Sequence, residues 1–326
     1  MKILATGGSG FVGSRLIRRL TGDGHQVFAI ARSDTSADAV QALGATPVAV
    51  DLDAPADIAL PSVDAVVHAA AYFRFAGRRD RYFGTNVDGT RALLAAAQNA
   101  GATTFVYLSA GAVVMDDRGS ALRDVDESAP TYPSSFSAYI ASKATAEADV
   151  LAADRPGFRA LAIRPPAIWG AGDMFGREIP GRVASGQFAF INRGEYLFST
   201  VHVDNVIEAV ECALDRGRGG RPYFVADRDT MTFRDFIAGI ARIHDVSIDR
   251  VRSVPYALAF NVGRIMETGA KLRNSETDPP LSRTMVRMIG RPFTVDDTAA
   301  RRELGYVGAT SRDEGLALAS EGITNL

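Results

Sequence analysis

A tyrosine and a lysine lie four residues apart in the segment Tyr139-Ile140-Ala141-Ser142-Lys143. On a helix, this spacing places the two side chains on one face, one turn apart. A phenol has an ordinary pKa near ~10 and is a poor acid or base at neutral pH. A neighbouring ammonium group favours the phenolate and lowers that pKa, so the pattern predicts a proton-transferring pair. The alternative is a half-buried core tyrosine beside a solvated lysine.

A glycine-rich segment follows the apolar run Ile3–Ala5 and precedes a stretch with helical character. The spacing G-x-x-G-x-x-G lets a strand turn sharply, approach a pyrophosphate and pack tightly against the next helix. The phosphate then lies at the helix N-terminus, where free N–H groups and the helix dipole favour an anion. The segment therefore predicts a dinucleotide site with contacts from Gly7, Gly10, Phe11, Val12 and Gly13.

The end of the next apolar run, Val27–Ala31, carries no acid. A site for NAD places an acid there to hold the ribose hydroxyls, whereas this chain continues with Arg32. A guanidinium group suits a 2′-phosphate by charge and geometry, so we predict NADP(H) in preference to NAD(H). The alternative is a solvated surface arginine. Asp51 and Leu52 end the third run and are predicted to contact the adenine, although Asp51 could instead cap a helix.

Short apolar runs alternate with Ala-, Leu- and Arg-rich stretches through the first half of the chain. Unbroken apolar strands separated by helices indicate a parallel sheet that is covered on both faces. The fold class is therefore α/β, a doubly wound (Rossmann) sheet over residues 1–168 with a smaller C-terminal substrate domain over 169–199 and 216–326. Residues 200–215 are expected to pack back on the sheet. The runs are Ile3–Ala5, Val27–Ala31, Thr46–Val50, Ala65–His68, Phe105–Leu108 and Ala160–Ile163.

Composition limits the remaining possibilities. The chain has 326 residues, one cysteine, four histidines and a formal charge of −2. One cysteine forms no intramolecular disulfide, and no His/Cys cluster has the spacing of metal ligands, so no metal is expected. A balanced charge does not favour nucleic acid or an anionic membrane as a partner. No apolar run is long enough to span a bilayer and none resembles a secretion signal, so a cytoplasmic location is expected.

With these residues placed, the sequence resembles the extended short-chain dehydrogenase/reductase family. Beside the glycine loop and the Tyr-x-x-x-Lys pair, four further segments match it in order: His68–Ala71, Asn86–Thr90, Arg164–Gly170 and Val201–Val206. Two regions, Ile168–Asp173 and Pro280–Tyr306, look more like the 3β-hydroxysteroid dehydrogenase and dihydroflavonol reductase branch.

The resemblance implies roles for residues that spacing alone does not assign. It implies that Ala69 and Ala70 line the pyrophosphate side, that Pro166 lies beside the nicotinamide, and that Tyr139 and Lys143 also contact the cofactor. Asn86 would hold a loop or a water near the site, or else cap a helix. His68 and His202 are expected to be core histidines. A homodimer, common in the family, is also implied.

The family also has a catalytic serine, and here the sequence departs from the pattern. Without gaps, that serine aligns with Ala110, and Ser109 lies one position early. Adjacent strand residues face opposite sides, so Ser109 serves only if the chain turns early. Because Gly111 makes such a turn accessible, we expect Ser109 to supply the hydroxyl. The alternative is that Ser109 caps the end of the strand.

Three aromatic residues, Tyr72, Phe73 and Phe75, follow the fourth predicted strand, at an edge where such folds bind ligands. They predict an apolar wall of a substrate pocket or, alternatively, packing between domains. The whole pattern predicts an NADP(H)-dependent oxidoreductase that reduces a ketone or aldehyde of an apolar small molecule, with Tyr139 as the proton donor. A nucleotide-sugar epimerase and a non-catalytic NADP(H)-binding scaffold are the alternatives.

Overall fold

A computed structural model describes residues 1–55, 58–272 and 277–324 of the chain. Its strands are β1 (Lys2–Thr6), β2 (Gln26–Ala31), β3 (Thr46–Ala49), β4 (Ala65–His68), β5 (Thr104–Leu108), β6 (Leu122–Val125), β7 (Arg159–Arg164), β8 (Ala167–Trp169), β9 (Ala189–Ile191), β10 (Leu197–Phe198), β11 (Thr200–His202), β12 (Pro222–Phe224), β13 (Met231–Thr232), β14 (Arg252–Val254) and β15 (Phe293–Val295).

The α-helices are α1 (Phe11–Gly22), α2 (Asp34–Gln41), α3 (Arg79–Phe83), α4 (Gly89–Asn99), α5 (Ala138–Ala152), α6 (Met174–Ala184), α7 (Val203–Arg216), α8 (Phe233–Arg242), α9 (Tyr256–Leu272), α10 (Arg283–Ile289) and α11 (Arg312–Thr324). Short 3₁₀ turns cover Gly111–Val114 and Asn192–Gly194, and π-helical turns cover Gly84–Asp88 and Ala300–Leu304.

Seven strands form one parallel sheet in the order β12-β7-β5-β4-β1-β2-β3. Its central strands β4 and β5 are buried along their whole length, as their unbroken apolar sequences require. Helices α1 and α7 contribute to the apolar core on one face, and α4 and α5 to the core on the other. The predicted doubly wound sheet is confirmed, and α7 packs back on it as expected.

A second lobe contains the four-stranded sheet β13-β10-β15-β6, and the two-stranded pairs β11-β8 and β14-β9 also lie outside the main sheet. The core of the second lobe is rich in phenylalanine, with Phe190, Phe198, Phe233 and Phe236 buried together. Among the described residues, no helix has the length and apolar character needed to cross a membrane.

The predicted domain boundaries differ from the structure in two places. Strand β12, assigned to the substrate domain, is an edge strand of the main sheet and pairs with β7. Strand β6, assigned to the dinucleotide domain, pairs instead with β15 in the second sheet. Both strands have only three or four residues, and their sequences carry no periodicity that would indicate which sheet they join. Each lobe therefore contains one strand from a part of the chain that was assigned to the other domain.

Candidate active site

The glycine loop after β1 has the tight geometry that its sequence predicts. Gly7 has a φ of +72°, and the N–H of Gly10 donates to the carbonyl of Gly7 at 2.9 Å. A Cβ on Gly13 would lie 2.1 Å from that same oxygen, so only glycine fits. Helix α1 then begins at Phe11, with Val12 and Gly13 in its first turn and no side chain capping its N–H groups. The loop fits a pyrophosphate at this helix end.

The segment after β4 closes the other side of this cradle. A Cβ on Gly7 would lie 2.9 Å from the backbone nitrogen of Ala70 and 3.1 Å from the carbonyl carbon of Ala69. Ala69 and Ala70 therefore lie directly against the glycine loop. The N–H of Ala70 donates to Oγ1 of Thr6 at 2.9 Å, which fixes the segment to the end of β1.

His68 holds this edge of the sheet together as a neutral residue. Its Nδ1 is 2.7 Å from Oγ1 of Thr6, and its Nε2 is 2.9 Å from Oγ1 of Thr90. Because the Thr90 hydroxyl donates to the carbonyl of Asn86, Nε2 must carry the proton and Nδ1 must accept one from Thr6. Burial, with a smaller effect of nearby Lys143, lowers the pKa of His68 to about 3. His68 is thus a hydrogen-bonded core histidine, as expected.

A cleft of about 370 Å³ lies between the ends of β2 and β3. Its walls include Arg32, Asp51 and the first residues of α2, which is where an adenosine would lie in this fold. The Arg32 side chain is 68% exposed, and its guanidinium group lies 3.0 Å from Oδ2 of Asp53. Sequence reasoning missed Asp53, which lies two positions beyond Asp51.

Asp51 and Leu52 take different positions beside this cleft. Asp51 accepts a hydrogen bond from the N–H of Asp53 at 2.9 Å, within a turn, so the alternative of a helix cap is wrong. Leu52 is buried, and its carbonyl oxygen lies so close to Gly89 of α4 that a Cβ there would be 2.7 Å away.

Asn86 joins the aromatic loop to the helix of the Tyr-x-x-x-Lys pair. Its Oδ1 accepts from the N–H of Tyr72 at 2.7 Å, and its Nδ2 donates to Oγ of Ser142 at 3.0 Å and to the carbonyl of Tyr72 at 3.1 Å. Asn86 lies inside a π-helical turn and caps no helix, so that alternative is also wrong. The expectation that it holds a loop agrees with these contacts.

Tyr139 and Lys143 lie on α5, which begins after the N-cap Ser137. The Lys143 ammonium donates to the carbonyl of Leu108 at 2.6 Å and lies 4.1 Å from the centre of the Tyr107 ring. Burial lowers the pKa of Lys143 to about 7, an effect that the carboxylate of Glu147 opposes.

Burial also raises the pKa of Tyr139. The sequence predicted that the Lys143 ammonium lowers the pKa of Tyr139, and the protein without dinucleotide does not show this lowering. The Lys143 ammonium is turned towards Leu108 and Tyr107, and no described charge lies close enough to Tyr139 to oppose the effect of burial.

A buried ion pair between Glu147 and Arg164 lies one turn of α5 beyond Lys143. Glu147 accepts two hydrogen bonds from Arg164, at 2.6 and 3.0 Å, and both side chains are almost fully buried. Glu147 lies four residues after Lys143 and was missed by sequence reasoning, although a charged residue on the apolar side of a helix is a signal for such a pair.

The predicted early turn at Ser109 is wrong. The N–H of Ser109 donates to the carbonyl of Ile163 at 2.8 Å, and Ala110 is still extended at φ −151° and ψ 141°. The 3₁₀ turn begins at Gly111, whose N–H donates to the carbonyl of Pro165 at 2.7 Å. The extended backbone sends the side chains of Ser109 and Ala110 to opposite faces.

The Ser109 hydroxyl is buried and has no hydrogen-bond partner among the described residues. The hydroxyl is therefore not exposed to a substrate, whereas the predicted catalytic role of Ser109 requires such exposure. Ala110 instead belongs to the apolar cluster against which Tyr139 packs. The same bond from Gly111 to Pro165 brings the segment that contains Pro166 alongside the end of β5.

The aromatic loop reaches the candidate site. The ring of Phe73 packs edge-on against Tyr139, with centroids 4.7 Å apart, and Phe75 packs edge-on against Phe73 at 5.1 Å. Tyr72 packs instead on Tyr82 of α3. The structure thus brings together Tyr139, Lys143, Asn86, Ala69, Ala70 and the glycine loop, with Arg32 and Asp51 on the adenosine side of the same sheet edge.

Comparison with known proteins agrees with this geometry. The model of the 3-beta hydroxysteroid dehydrogenase/isomerase family matches residues 4–256. The chain belongs to this family. It is accordingly an oxidoreductase of the extended short-chain dehydrogenase/reductase type, and it uses a nicotinamide dinucleotide and acts on a small molecule.

Two relatives are similar along nearly their whole length. A 4-hydroxy-2-methyl-3-oxo-4-farnesyl-3,4-dihydroquinoline-1-oxide ketoreductase of Stigmatella aurantiaca is 35% identical and covers 97% of this chain and 95% of its own. A 2-alkyl-3-oxoalkanoate reductase of Stenotrophomonas maltophilia is 31% identical and covers 97% of each chain.

Solved structures share the fold. The crystal structure of gox2253 has a TM-score of 0.78 and 26% identity, over 99% of this chain and 98% of its own. A UDP-glucose 4-epimerase of Thermotoga maritima has a TM-score of 0.75 but only 18% identity, over 100% of this chain and 99% of its own. At that identity the likeness concerns the fold alone.

Proposed function

We propose that this family member uses NADP(H) to reduce the carbonyl group of an apolar ketone or aldehyde, with Tyr139 as the proton donor. The observation that carries the proposal is the edge-on contact of the Phe73 ring with Tyr139, which lies on the same helix as Lys143, one turn away. A phenol beside an apolar wall suits a substrate whose carbonyl group is attached to a hydrocarbon body.

The chain would hold the dinucleotide at three points. Its pyrophosphate would lie at the start of α1, between the glycine loop and Ala69–Ala70. Its adenosine would occupy the cleft beside Asp51 and Leu52, where Arg32 lies close enough to meet a 2′-phosphate. Its nicotinamide ring would lie near Pro166, Tyr139 and Lys143. When bound, the dinucleotide supplies the hydride for the carbonyl carbon.

The protein supplies alignment and the proton. Tyr139 donates its phenolic proton to the carbonyl oxygen as that oxygen gains negative charge. The high pKa of Tyr139 in the protein alone keeps this proton in place until a substrate binds. Lys143, when protonated, would contact the ribose and favour the phenolate that remains. Glu147 favours that protonated form of Lys143.

The relatives point to the substrate class. Both are named for the reduction of oxo compounds, one with a farnesyl group and one with alkyl chains. Together with Phe73 and Phe75, this supports a ketone that carries a long hydrocarbon chain or an apolar ring system. A homodimer and a cytoplasmic location are part of the same proposal.

The decisive experiment is Tyr139→Phe, which keeps the ring and removes the acid. Turnover of an apolar ketone should fall by about 10²–10⁴, while NADPH affinity changes little. Tyr256→Phe is a matched control, because its hydroxyl has no hydrogen-bond partner in the described residues. A Tyr139→Phe variant with normal turnover would contradict the proposal. Turnover of a nucleotide-sugar alone would favour an epimerase, and NADPH binding without turnover of any carbonyl compound would favour a scaffold.

A further inference from the structure

Helix α9 exposes an apolar stripe to solvent. Leu258, Ile265 and Leu272 are seven residues apart, and their residues are 53%, 69% and 83% exposed. Side chains at this spacing lie on one face of a helix, and Met266, which is 38% exposed, lies beside them. Scattered exposed apolar residues need no explanation, but four on one helical face mark an interaction surface.

The opposite face of α9 packs on the enzyme beside the candidate active site. Tyr256 and Ala259 are buried, and the ring of Phe260 meets the ring of Phe136 edge-on at 5.8 Å. Phe136 lies three residues before Tyr139, in the segment that leads into α5. The inner face of the helix therefore contacts the chain segment that leads to the candidate proton donor.

The charges on α9 define the kind of partner that its outer face fits. Its acidic residue, Glu267, is buried and accepts a hydrogen bond from Arg283 at 2.7 Å. Arg264, next to Ile265, is exposed. Among the described side chains of this helix, the solvent-facing side thus combines an apolar stripe with a cation and shows no carboxylate.

We propose that α9 is an interfacial helix that docks the enzyme on a bilayer with anionic lipid headgroups. Such helices bury an apolar face at the boundary of headgroups and acyl chains, with basic residues near the phosphates. A second copy of the chain fits less well, because four side chains on one convex helix offer far less than the ~800 Å² per partner of a stable dimer.

The balanced charge of the whole chain did not reveal this surface, because net charge averages over all faces. The orientation would place the candidate site near the lipid phase, from which an apolar ketone could enter. That last step rests on the proposed function, whereas docking itself does not.

The test is co-sedimentation of the full chain with vesicles, without substrate. The chain should bind vesicles of phosphatidylcholine and phosphatidylglycerol in equal parts and bind pure phosphatidylcholine more weakly. Ile265→Glu should weaken binding by about tenfold, since a carboxylate at this position replaces apolar surface that the bilayer would bury. Arg264→Gln should weaken binding about fivefold, and only to the anionic vesicles.

Leu318→Glu is the matched control, an exposed leucine on helix α11 that should leave vesicle binding unchanged. Circular dichroism and NADPH binding check that each variant is folded. The proposal is overturned if the chain binds neither kind of vesicle, or if Leu318→Glu weakens vesicle binding as much as Ile265→Glu does. It is also overturned if Ile265→Glu converts an oligomer into monomers, because a second copy would then cover the stripe. Reductase activity plays no part in these outcomes.

Discussion

The ring of Phe73 stands edge-on to the ring of Tyr139, with centroids 4.7 Å apart and planes at 78°. Phe73 is 39% exposed, so its remaining surface faces open space beside the candidate proton donor. The loop that carries it is fixed from a distant part of the chain. Asp278 accepts hydrogen bonds from the N–H groups of Phe75 at 3.2 Å and Ala76 at 2.9 Å. One carboxylate thus holds the aromatic wall against Tyr139.

The first prediction concerns this carboxylate. Asp278→Ala removes two charge-assisted hydrogen bonds and should loosen the loop, so KM for a bulky apolar ketone should rise about tenfold. The value of kcat should change by less than about threefold, because Tyr139 and Lys143 stay in place on α5. Asp313→Ala, at an exposed carboxylate on α11, is the control. Steady-state kinetics separates the two parameters, and a loss confined to kcat would contradict a positioning role.

The second prediction concerns the choice of dinucleotide. Arg32→Ala should weaken NADPH binding about tenfold or more and leave NADH binding nearly unchanged, because only NADPH carries the 2′-phosphate. Asp53→Asn should instead strengthen NADPH binding, since Asp53 pairs with Arg32 and competes with the 2′-phosphate for it. Fluorescence titration of both dinucleotides measures these affinities. Equal affinity of the unaltered protein for NADPH and NADH would show that Arg32 does not bind a 2′-phosphate.

The sequence predicted the main sheet well because its strands are buried on both faces and read as unbroken apolar runs. It predicted the tight glycine loop and the common helix of Tyr139 and Lys143 because each depends on local spacing. The second sheet was missed, since β10 and β13 have two residues each and show no periodicity. Asp278 was missed for another reason: it lies about 200 positions from the loop that it holds, and only the folded chain brings them together.

The third prediction concerns Lys143 and pH. In the unfolded chain its pKa is about 10.4, whereas burial lowers it to about 7 in the folded protein. Between these values the unfolded state binds one more proton, so the free energy of unfolding rises with pH. Lys143→Met removes this contribution. Without dinucleotide, the stability of the unaltered protein relative to the variant should therefore increase from pH 7 to pH 9, by at most about 1.4 kcal/mol per pH unit.

Urea denaturation at several pH values measures this difference. A gap between the two proteins that stays constant with pH would show that Lys143 is already charged in the folded chain. Saturating NADPH should reduce the pH dependence, because contact with the ribose and its phosphates would favour the ammonium form of Lys143.

The last prediction concerns Ser109 and Ala110, where the structure reverses the expectation from sequence. The Ser109 hydroxyl is buried without a partner, and an unsatisfied buried hydroxyl costs about 1–3 kcal/mol. Ser109→Ala should therefore leave turnover within about twofold and raise the free energy of unfolding by about 1 kcal/mol. Ala110 lies in the apolar cluster that Tyr139 contacts. Ala110→Ser should place a donor near the carbonyl oxygen and raise turnover about tenfold, below the ~10²–10³ of an optimised donor.

Kinetics with an apolar ketone and urea denaturation of both variants decide between the two residues. The opposite pair of results would be a Ser109→Ala variant that loses most of its turnover and an Ala110→Ser variant that gains none. That outcome would mean that the strand rearranges when dinucleotide and substrate bind, since the extended backbone at Ala110 keeps the two side chains on opposite faces. The agreement of both variants with the expected pattern would instead show that this enzyme aligns and protonates its substrate through Tyr139 without the serine hydroxyl of its family.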